Sequence, residues 1–192
     1  MSRRTLLTLI LAAIVGGVIL RQCVETRGDR ERVAQRLQKL SAEFENNPTN
    51  TAPLDEITDV IHGRWSFART YACTELRRLG QRANVAVPDL ISALDCGDRF
   101  VEREAARALQ TVAIGDPRPV AALTRKLAVD SRDAAWFSAE ALGNIGAPAL
   151  VAIPALEAAS QSPWECMSYS AREALEKLRR LEKQCVPETT EQ

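Results

Sequence analysis

The residues best suited to hold another molecule are aromatic and basic side chains that recur at a fixed spacing. Trp136 and Tyr169 are 33 residues apart, and Arg103 precedes Trp136 by the same interval. Aromatic rings and guanidinium groups hold peptide side chains by stacking and by hydrogen bonds to carboxylates. The alternative is that each ring covers the turn between two helices of its own repeat. The predicted partner-binding residues are Thr70, Arg103, Arg107, Trp136, Glu140, Tyr169 and Glu173.

Catalytic and metal-binding side chains are scarce in this chain. His62 is the one histidine, and a lone histidine supplies neither a metal cluster nor a paired general base. We therefore expect no catalytic residue, no metal and no cofactor. The sequence predicts that the protein is not an enzyme.

The cysteines form an odd set without a Cys-x-x-Cys pair: Cys23, Cys73, Cys96, Cys166 and Cys185. This pattern argues against a zinc site and against a dense disulfide framework. Cys73 and Cys96 fall at the same edge of two neighbouring repeats, where a disulfide between them is geometrically allowed. The alternative is two small side chains that pack as free thiols.

These residues lie on a tandem repeat with a period of 33 residues. Within each copy, apolar residues recur at i, i+4, i+8 and i+11, which is one face of a helix, here named helix B. A shorter apolar stripe precedes it in every copy and predicts a second helix, helix A. One repeat unit is therefore helix A, a turn and helix B. The clearest column across the copies is Leu76, Leu109, Leu142 and Leu175.

Four such units predict an all-α protein that forms a short right-handed α-α superhelix, or solenoid. A single unit cannot bury its apolar face alone, whereas stacked units share a continuous core. The B helices of such a stack line its concave surface, which is where the predicted binding residues fall. The predicted units are 54–86, 87–119, 120–152 and 153–182.

The sequence SAEALGNIGAPALVAIPALEAA at residues 138–159 resembles the HEAT-like repeats of the phycobilisome-lyase type. Helix B in that family ends in Ala-Leu-Gly-x-Ile-Gly, and the next helix opens with Val/Ile-Pro-x-Leu. The openings Val87-Pro88-Asp89-Leu90 and Ile153-Pro154-Ala155-Leu156 match. The resemblance covers roughly residues 54–181 and implies an armadillo-like helical architecture.

Two units depart from this pattern. The first carries Asp55 in place of the proline, and the second has Val112-Ala113 where the glycine-ended motif is expected. Family members include chromophore lyases and many scaffolds, so the resemblance implies an architecture without choosing an activity.

The N-terminus predicts membrane attachment. Residues 5–20 (TLLTLILAAIVGGVIL) carry no charge and are flanked by Arg4 and Arg21. A helix of this length reaches roughly 24 Å against a hydrocarbon core of about 30 Å, so a span requires bilayer thinning and snorkelling arginines. Residues 1–22 are therefore predicted to form a cytoplasmic tail and a transmembrane signal-anchor.

The sequence is compatible with two orientations of this anchor in the membrane. The excess of arginine after residue 20 favours a cytoplasmic repeat domain, whereas a short basic tail before an apolar stretch resembles an export signal. We predict a single-pass protein of the inner membrane with a periplasmic repeat domain. Whether the anchor is cleaved stays open.

Residues 23–53 are predicted to form a charged helix and a linker. Val33, Leu37, Leu40 and Phe44 make one apolar stripe within residues 27–46, which is typical of a helix that caps the first unit. A short dimeric coiled coil is the alternative. Residues 183–192 are predicted to be a disordered tail.

The charge balance bears on the class of partner. The chain has 25 basic and 25 acidic residues and a formal net charge of zero, which disfavours indiscriminate nucleic-acid binding. The sequence therefore predicts a membrane-anchored HEAT-repeat scaffold that binds a protein or peptide through the concave helix B surface. Two alternatives stay open, an enzyme or ligand carrier related to chromophore lyases and a structural subunit of an envelope complex.

Overall fold

The structure is a computed structural model that describes residues 27–128 and 132–185, and every regular element in these ranges is a helix. This part of the chain is all-α, as the sequence predicts. The α-helices are α1 (Arg27–Asn46), α2 (Ala52–Ile61), α3 (Ser66–Leu79), α4 (Val87–Leu94), α5 (Arg99–Val112), α6 (Val120–Leu127), α7 (Arg132–Ile145), α8 (Ile153–Ser160) and α9 (Glu165–Cys185). Two 3₁₀ helices, η1 (Gly80–Ala86) and η2 (Ala147–Ala152), precede α4 and α8.

Helix boundaries recur at the spacing seen in the sequence. The long helices α3, α5, α7 and α9 correspond to helix B, and each begins 33 residues after the previous one. The short helices α4, α6 and α8 correspond to helix A and begin at the same interval. The leucine column of helix B is buried throughout, with Leu175 the most accessible member at 5%.

The packing joins neighbours along the chain. Each helix B contacts the helix A before it and the next helix B, so that α3, α5, α7 and α9 follow one another in order. The first helix, α1, packs against α2 and α3 through Leu37, Leu40 and Phe44, all buried. One hydrophobic core therefore runs from Leu37 to Leu178.

Local sequence signals determine where several helices begin and end. The Asp98 carboxylate accepts hydrogen bonds from the Phe100 and Val101 amides and caps α5. Prolines occupy the first turn of α4 and α8, where the missing amide hydrogen costs no helical bond. Gly80 and Gly146 end α3 and α7 at φ of 59° and 82°, a conformation that favours glycine.

Small residues set the close spacing of the B helices. Ala105, Ala108, Ala139 and Ala141 are fully buried. At Gly143 of α7 a β-carbon would lie only 3.0 Å from the Cα atom of Ala174 on α9. A side chain at this position would require the neighbouring helix to move by a few tenths of an ångström.

The predicted location in the inner membrane is corrected by the structure. Within residues 27–128 and 132–185, no helix is both long enough and apolar enough to cross a bilayer. The two helices of 20 residues or more, α1 and α9, are amphipathic and carry charged residues along their length, which a spanning helix cannot bear. Residues 5–20, on which the membrane prediction depended, lie outside the described ranges.

Two predicted boundaries shift. Helix α2 begins at Ala52, within the segment predicted to be a linker. Helix α9 continues to Cys185, beyond the predicted end of the repeats at residue 182. The rest of the predicted tail lies outside the described residues.

Candidate functional site

Three consecutive B helices carry accessible aromatic rings. Phe100 at the start of α5 is 49% exposed, and Tyr169 in the first turns of α9 is 62% exposed. Trp136 on α7 is half-buried. Together with the polar groups described below, these rings form a surface that we name the aromatic surface.

A single carboxylate links these three helices. Glu140 on α7 accepts hydrogen bonds from Trp136 Nε1 at 2.8 Å, from Gln110 Nε2 of α5 at 2.7 Å and from Ser170 Oγ of α9 at 3.3 Å. Ser170 directly follows Tyr169 on α9, so the network reaches the residue next to the exposed tyrosine. These polar atoms are therefore held in place before any ligand arrives.

The Trp136 side chain is more enclosed than the sequence suggests. Its ring stacks on that of the neighbouring Phe137, with a centroid separation of 4.7 Å and an interplanar angle of 14°. One face of the indole is thus covered, and its N–H group is occupied by Glu140. Tyr169 is therefore the more accessible anchor of the predicted pair.

Two arginines are positioned by a buried acid. Glu104, only 5% exposed, accepts a hydrogen bond from Arg103 Nε at 3.1 Å and another from Arg107 Nη1 at 3.1 Å. The guanidinium of Arg107 lies 5.0 Å from the centroid of the Phe137 ring, and that of Arg103 lies 5.8 Å from the centroid of Phe100. Such stacking orients a guanidinium while leaving some of its donors for a carboxylate.

The structure separates the seven predicted residues into two groups. Thr70 donates its hydroxyl to the Ser66 carbonyl at 2.7 Å within α3, and Glu173 pairs with Lys177 at 3.6 Å within α9. Neither contacts Glu104, Glu140 or an aromatic ring among the described contacts. Of the seven predicted residues, those that belong to the aromatic surface are Arg103, Arg107, Trp136, Glu140 and Tyr169.

Sequence reasoning missed several members of this surface: Phe100, Glu104, Gln110, Phe137 and Ser170. Three of them had a detectable signal, because Glu104, Phe137 and Ser170 each follow a member of the predicted aromatic and arginine series directly. They form a second column at the same 33-residue spacing. The burial of Glu104 had no such signal.

The cysteines do not form the disulfide considered above, since Cys73 and Cys96 are both free. Cys73 is fully buried, and this burial, reinforced by the nearby Glu104 carboxylate, raises the pKa of its thiol to about 12. A thiol with this pKa is a poor nucleophile at neutral pH. Cys166, by contrast, is exposed.

His62 has a structural partner. Its Nε2 atom lies 2.7 Å from Asp89 Oδ1 and so connects the end of α2 to the first turn of α4. Among the described residues, no three His, Cys, Asp or Glu side chains are grouped so that they could hold a metal ion.

Comparison with known proteins yields similarity at the level of fold. No family model and no curated protein matches the chain. Among solved structures, the chain is similar to the crystal structure of an engineered protein from the Northeast Structural Genomics Consortium. The TM-score is 0.62 at 19% sequence identity, and the alignment covers 94% of this chain and 85% of that one. At this identity the similarity shows the fold alone.

Proposed function

We propose that the protein is a HEAT-like binding module that holds a protein or peptide partner on the aromatic surface and performs no catalysis. The contact pattern around Glu140 supports this proposal most, because it joins α5, α7 and α9, the three helices that carry the accessible rings. A carboxylate that ties three helices together keeps a binding surface rigid, which lowers the entropy lost on binding.

The architecture that we propose is a short right-handed α-α superhelix of four units, with the B helices on its concave side. Support comes from helix boundaries that repeat every 33 residues and from packing between consecutive B helices. The proline openings of α4 and α8 agree with the HEAT-like motif. In such a stack the aromatic surface would face the groove that this architecture uses for partners.

The chemistry of the surface favours an extended peptide or a loop. Tyr169 and Phe100 offer ring area that water now covers, and rings of this kind serve as anchors in protein interfaces. Arg103 and Arg107 are already oriented, so they can receive a carboxylate without a large loss of side-chain freedom. A ligand with an apolar side chain and an acidic group fits this combination.

Peptide selection followed by substitution tests the proposal. Peptides selected from a displayed library against the immobilised protein should bind the Tyr169→Ala variant at least about tenfold more weakly, because an aromatic anchor contributes on the order of 2 kcal/mol. Isothermal titration calorimetry measures this difference.

The matched control is Tyr71→Ala. Tyr71 is 41% exposed on α3, a helix that carries none of the residues assigned to the aromatic surface, so its removal should leave the affinity unchanged. If the selected peptides bind Tyr169→Ala as tightly as the unaltered chain, the aromatic surface is not the binding site.

A further inference from the structure

A shallow groove runs along the outer side of α9, between side chains of that helix alone. Its walls carry four cationic side chains against one carboxylate, although the whole chain is neutral. Leu175, which is only 5% exposed, forms its floor. The residues that line the groove are Arg172, Leu175, Glu176, Arg179, Arg180 and Lys183.

The position of this groove corresponds to a surface that holds a helix elsewhere in the molecule. Residues 33 positions earlier lie on and just after α7, on the side that receives α9. There a β-carbon on Gly143 would lie 3.0 Å from the Ala174 Cα atom, and one on Gly146 would lie 3.6 Å from Leu181 Cδ1. The equivalent surface of α9 therefore has the position of a helix-docking site, and no described helix occupies it.

The side chains on this surface change from small to basic in the last unit. Cys73, Ala106 and Ala139 are all fully buried at the position where α9 has the exposed Arg172. Arg179 likewise stands where the two preceding units have Ala113 and Gly146. The groove thus keeps the location of a helix-binding surface but gains positive charge.

Internal ion pairs neutralise only part of this charge. Arg180 pairs with Glu176 one turn away, and Arg179 pairs with Glu157 of α8 at 2.6 Å. Arg172 donates from Nε to the Ser168 carbonyl at 3.1 Å. Within residues 27–128 and 132–185, neither Arg172 nor Lys183 has a carboxylate partner. An incoming ligand therefore meets two uncompensated positive charges.

We propose that this groove is the docking site for an acidic amphipathic helix of a partner protein. The repeat equivalence supports a helix as the shape of the ligand, and the cations support carboxylates on its flanks. A second copy of this chain is a less suitable ligand for the groove. The helix at the other end of the described structure, α1, exposes both signs of charge. Its exposed charged residues include Glu31, Arg32, Arg36, Lys39 and Glu43.

A pair of synthetic peptides tests the charge requirement. One is a fluorescein-labelled amphipathic helix with a leucine stripe flanked by glutamates, and its counterpart has glutamine at every glutamate position. By fluorescence anisotropy with the full chain, the glutamate peptide should bind at least about tenfold more tightly than its counterpart, and added salt should weaken its binding.

Charge-reversal variants locate the site. Arg172→Glu and Lys183→Glu should each reduce the affinity for the glutamate peptide by about tenfold. Both side chains are exposed, so circular dichroism should show unchanged helicity. Arg82→Glu, on the exposed part of η1, is the matched control and should bind like the unaltered chain.

Three results would overturn the proposal. The first is equal binding of the glutamate and glutamine peptides. The second is unchanged affinity in both charge-reversal variants. The third is a dimer in sedimentation velocity that Arg172→Glu dissociates, since a second copy would then occupy the groove. The aromatic surface is tested with other peptides and another variant, so either proposal can fail without the other.

Discussion

At the scale of single residues, Asp116 shows how one carboxylate joins two units. It is 8% exposed and accepts hydrogen bonds from the Arg118 backbone amide at 2.9 Å and from Asn84 Nδ2 at 3.0 Å. The Arg118 guanidinium also donates to it and to the Asn84 carbonyl. The turn after α5 is thereby tied to η1. The hydrogen bonds from the Arg118 side chain lower the pKa of Asp116 from 3.8 to about 2.

This shift predicts a pH-dependent contribution to stability. The folded-state pKa is below the unfolded one, so the stabilisation is full above about pH 5 and is lost as the pH falls toward 2. Asp116→Asn should therefore cost about 2 kcal/mol in the free energy of unfolding at pH 7, and less at pH 3. Urea denaturation at the two pH values measures the gap in the free energy of unfolding between the variant and the unaltered chain. A gap of the same size at both would show that the charge of Asp116 is not its source.

A second residue-scale prediction concerns thiol reactivity. Cys73 is buried with a pKa of about 12, whereas Cys166 is exposed on α9. Maleimide at neutral pH should therefore modify Cys166 in the native protein and spare Cys73 until the chain is denatured. Peptide mass spectrometry assigns the modified sites. Rapid native labelling of Cys73 would mean that its helix opens readily.

At the scale of elements, the close contact between α7 and α9 depends on the absence of a side chain at Gly143. The nearest obstacle to a β-carbon there is the Ala174 backbone, which cannot rotate away as a long side chain would. The same pair of helices holds Glu140 and Ser170 at hydrogen-bond distance. Helix spacing and the geometry of the aromatic surface are therefore linked.

Gly143→Val should destabilise the protein by about 1–3 kcal/mol through overpacking. Helix propensity alone predicts the opposite sign, because valine is a better helix former than glycine. Thermal unfolding followed by circular dichroism measures the change. Ala121→Val on the exposed side of α6 is the control and should cost no more than about 0.7 kcal/mol. A stabilised Gly143→Val variant would mean that the two helices can separate at little cost.

The helix boundaries are the part of the structure that the sequence predicts best. The long helices are predicted in number and location by four equally spaced leucines, Leu76, Leu109, Leu142 and Leu175. Each unit buries its own apolar stripe, so the stripe repeats wherever the unit repeats. The stripe of α1 was found from its helical spacing alone, because this helix precedes the repeat units. Periodicity reports which face of a helix is apolar, and that information suffices to locate a helix.

The sequence predicts the polar part of the aromatic surface less well. Helix α5 carries Glu102, Arg103, Glu104 and Arg107 in close succession, and periodicity alone does not tell which of these charges a neighbouring helix covers. Burial of Glu104 between two guanidinium groups depends on the packing of α5 against its neighbours. Thr70 shares a column with Arg103, yet its short hydroxyl reaches only its own backbone.

At the scale of the whole molecule, positive charge is concentrated on one helix. A net charge of zero correctly describes the sum, but it hides the basic groove on α9. The prediction of an inner-membrane protein was wrong as far as the described residues go, because none of their helices is both long and apolar enough to cross a bilayer. It depended on residues 5–20 alone, which lie outside the described ranges.

The order of packing along the chain has a consequence for folding. Helices that pack extensively are never more than one unit apart in the described structure, so corresponding contacts in successive units close loops of similar length. The chain entropy lost in each closure is then nearly the same from one end to the other. No single long-range pairing has to form first, and contacts of this local kind are associated with rapid folding. Which unit forms first is therefore decided by its own stability and not by its place in the chain.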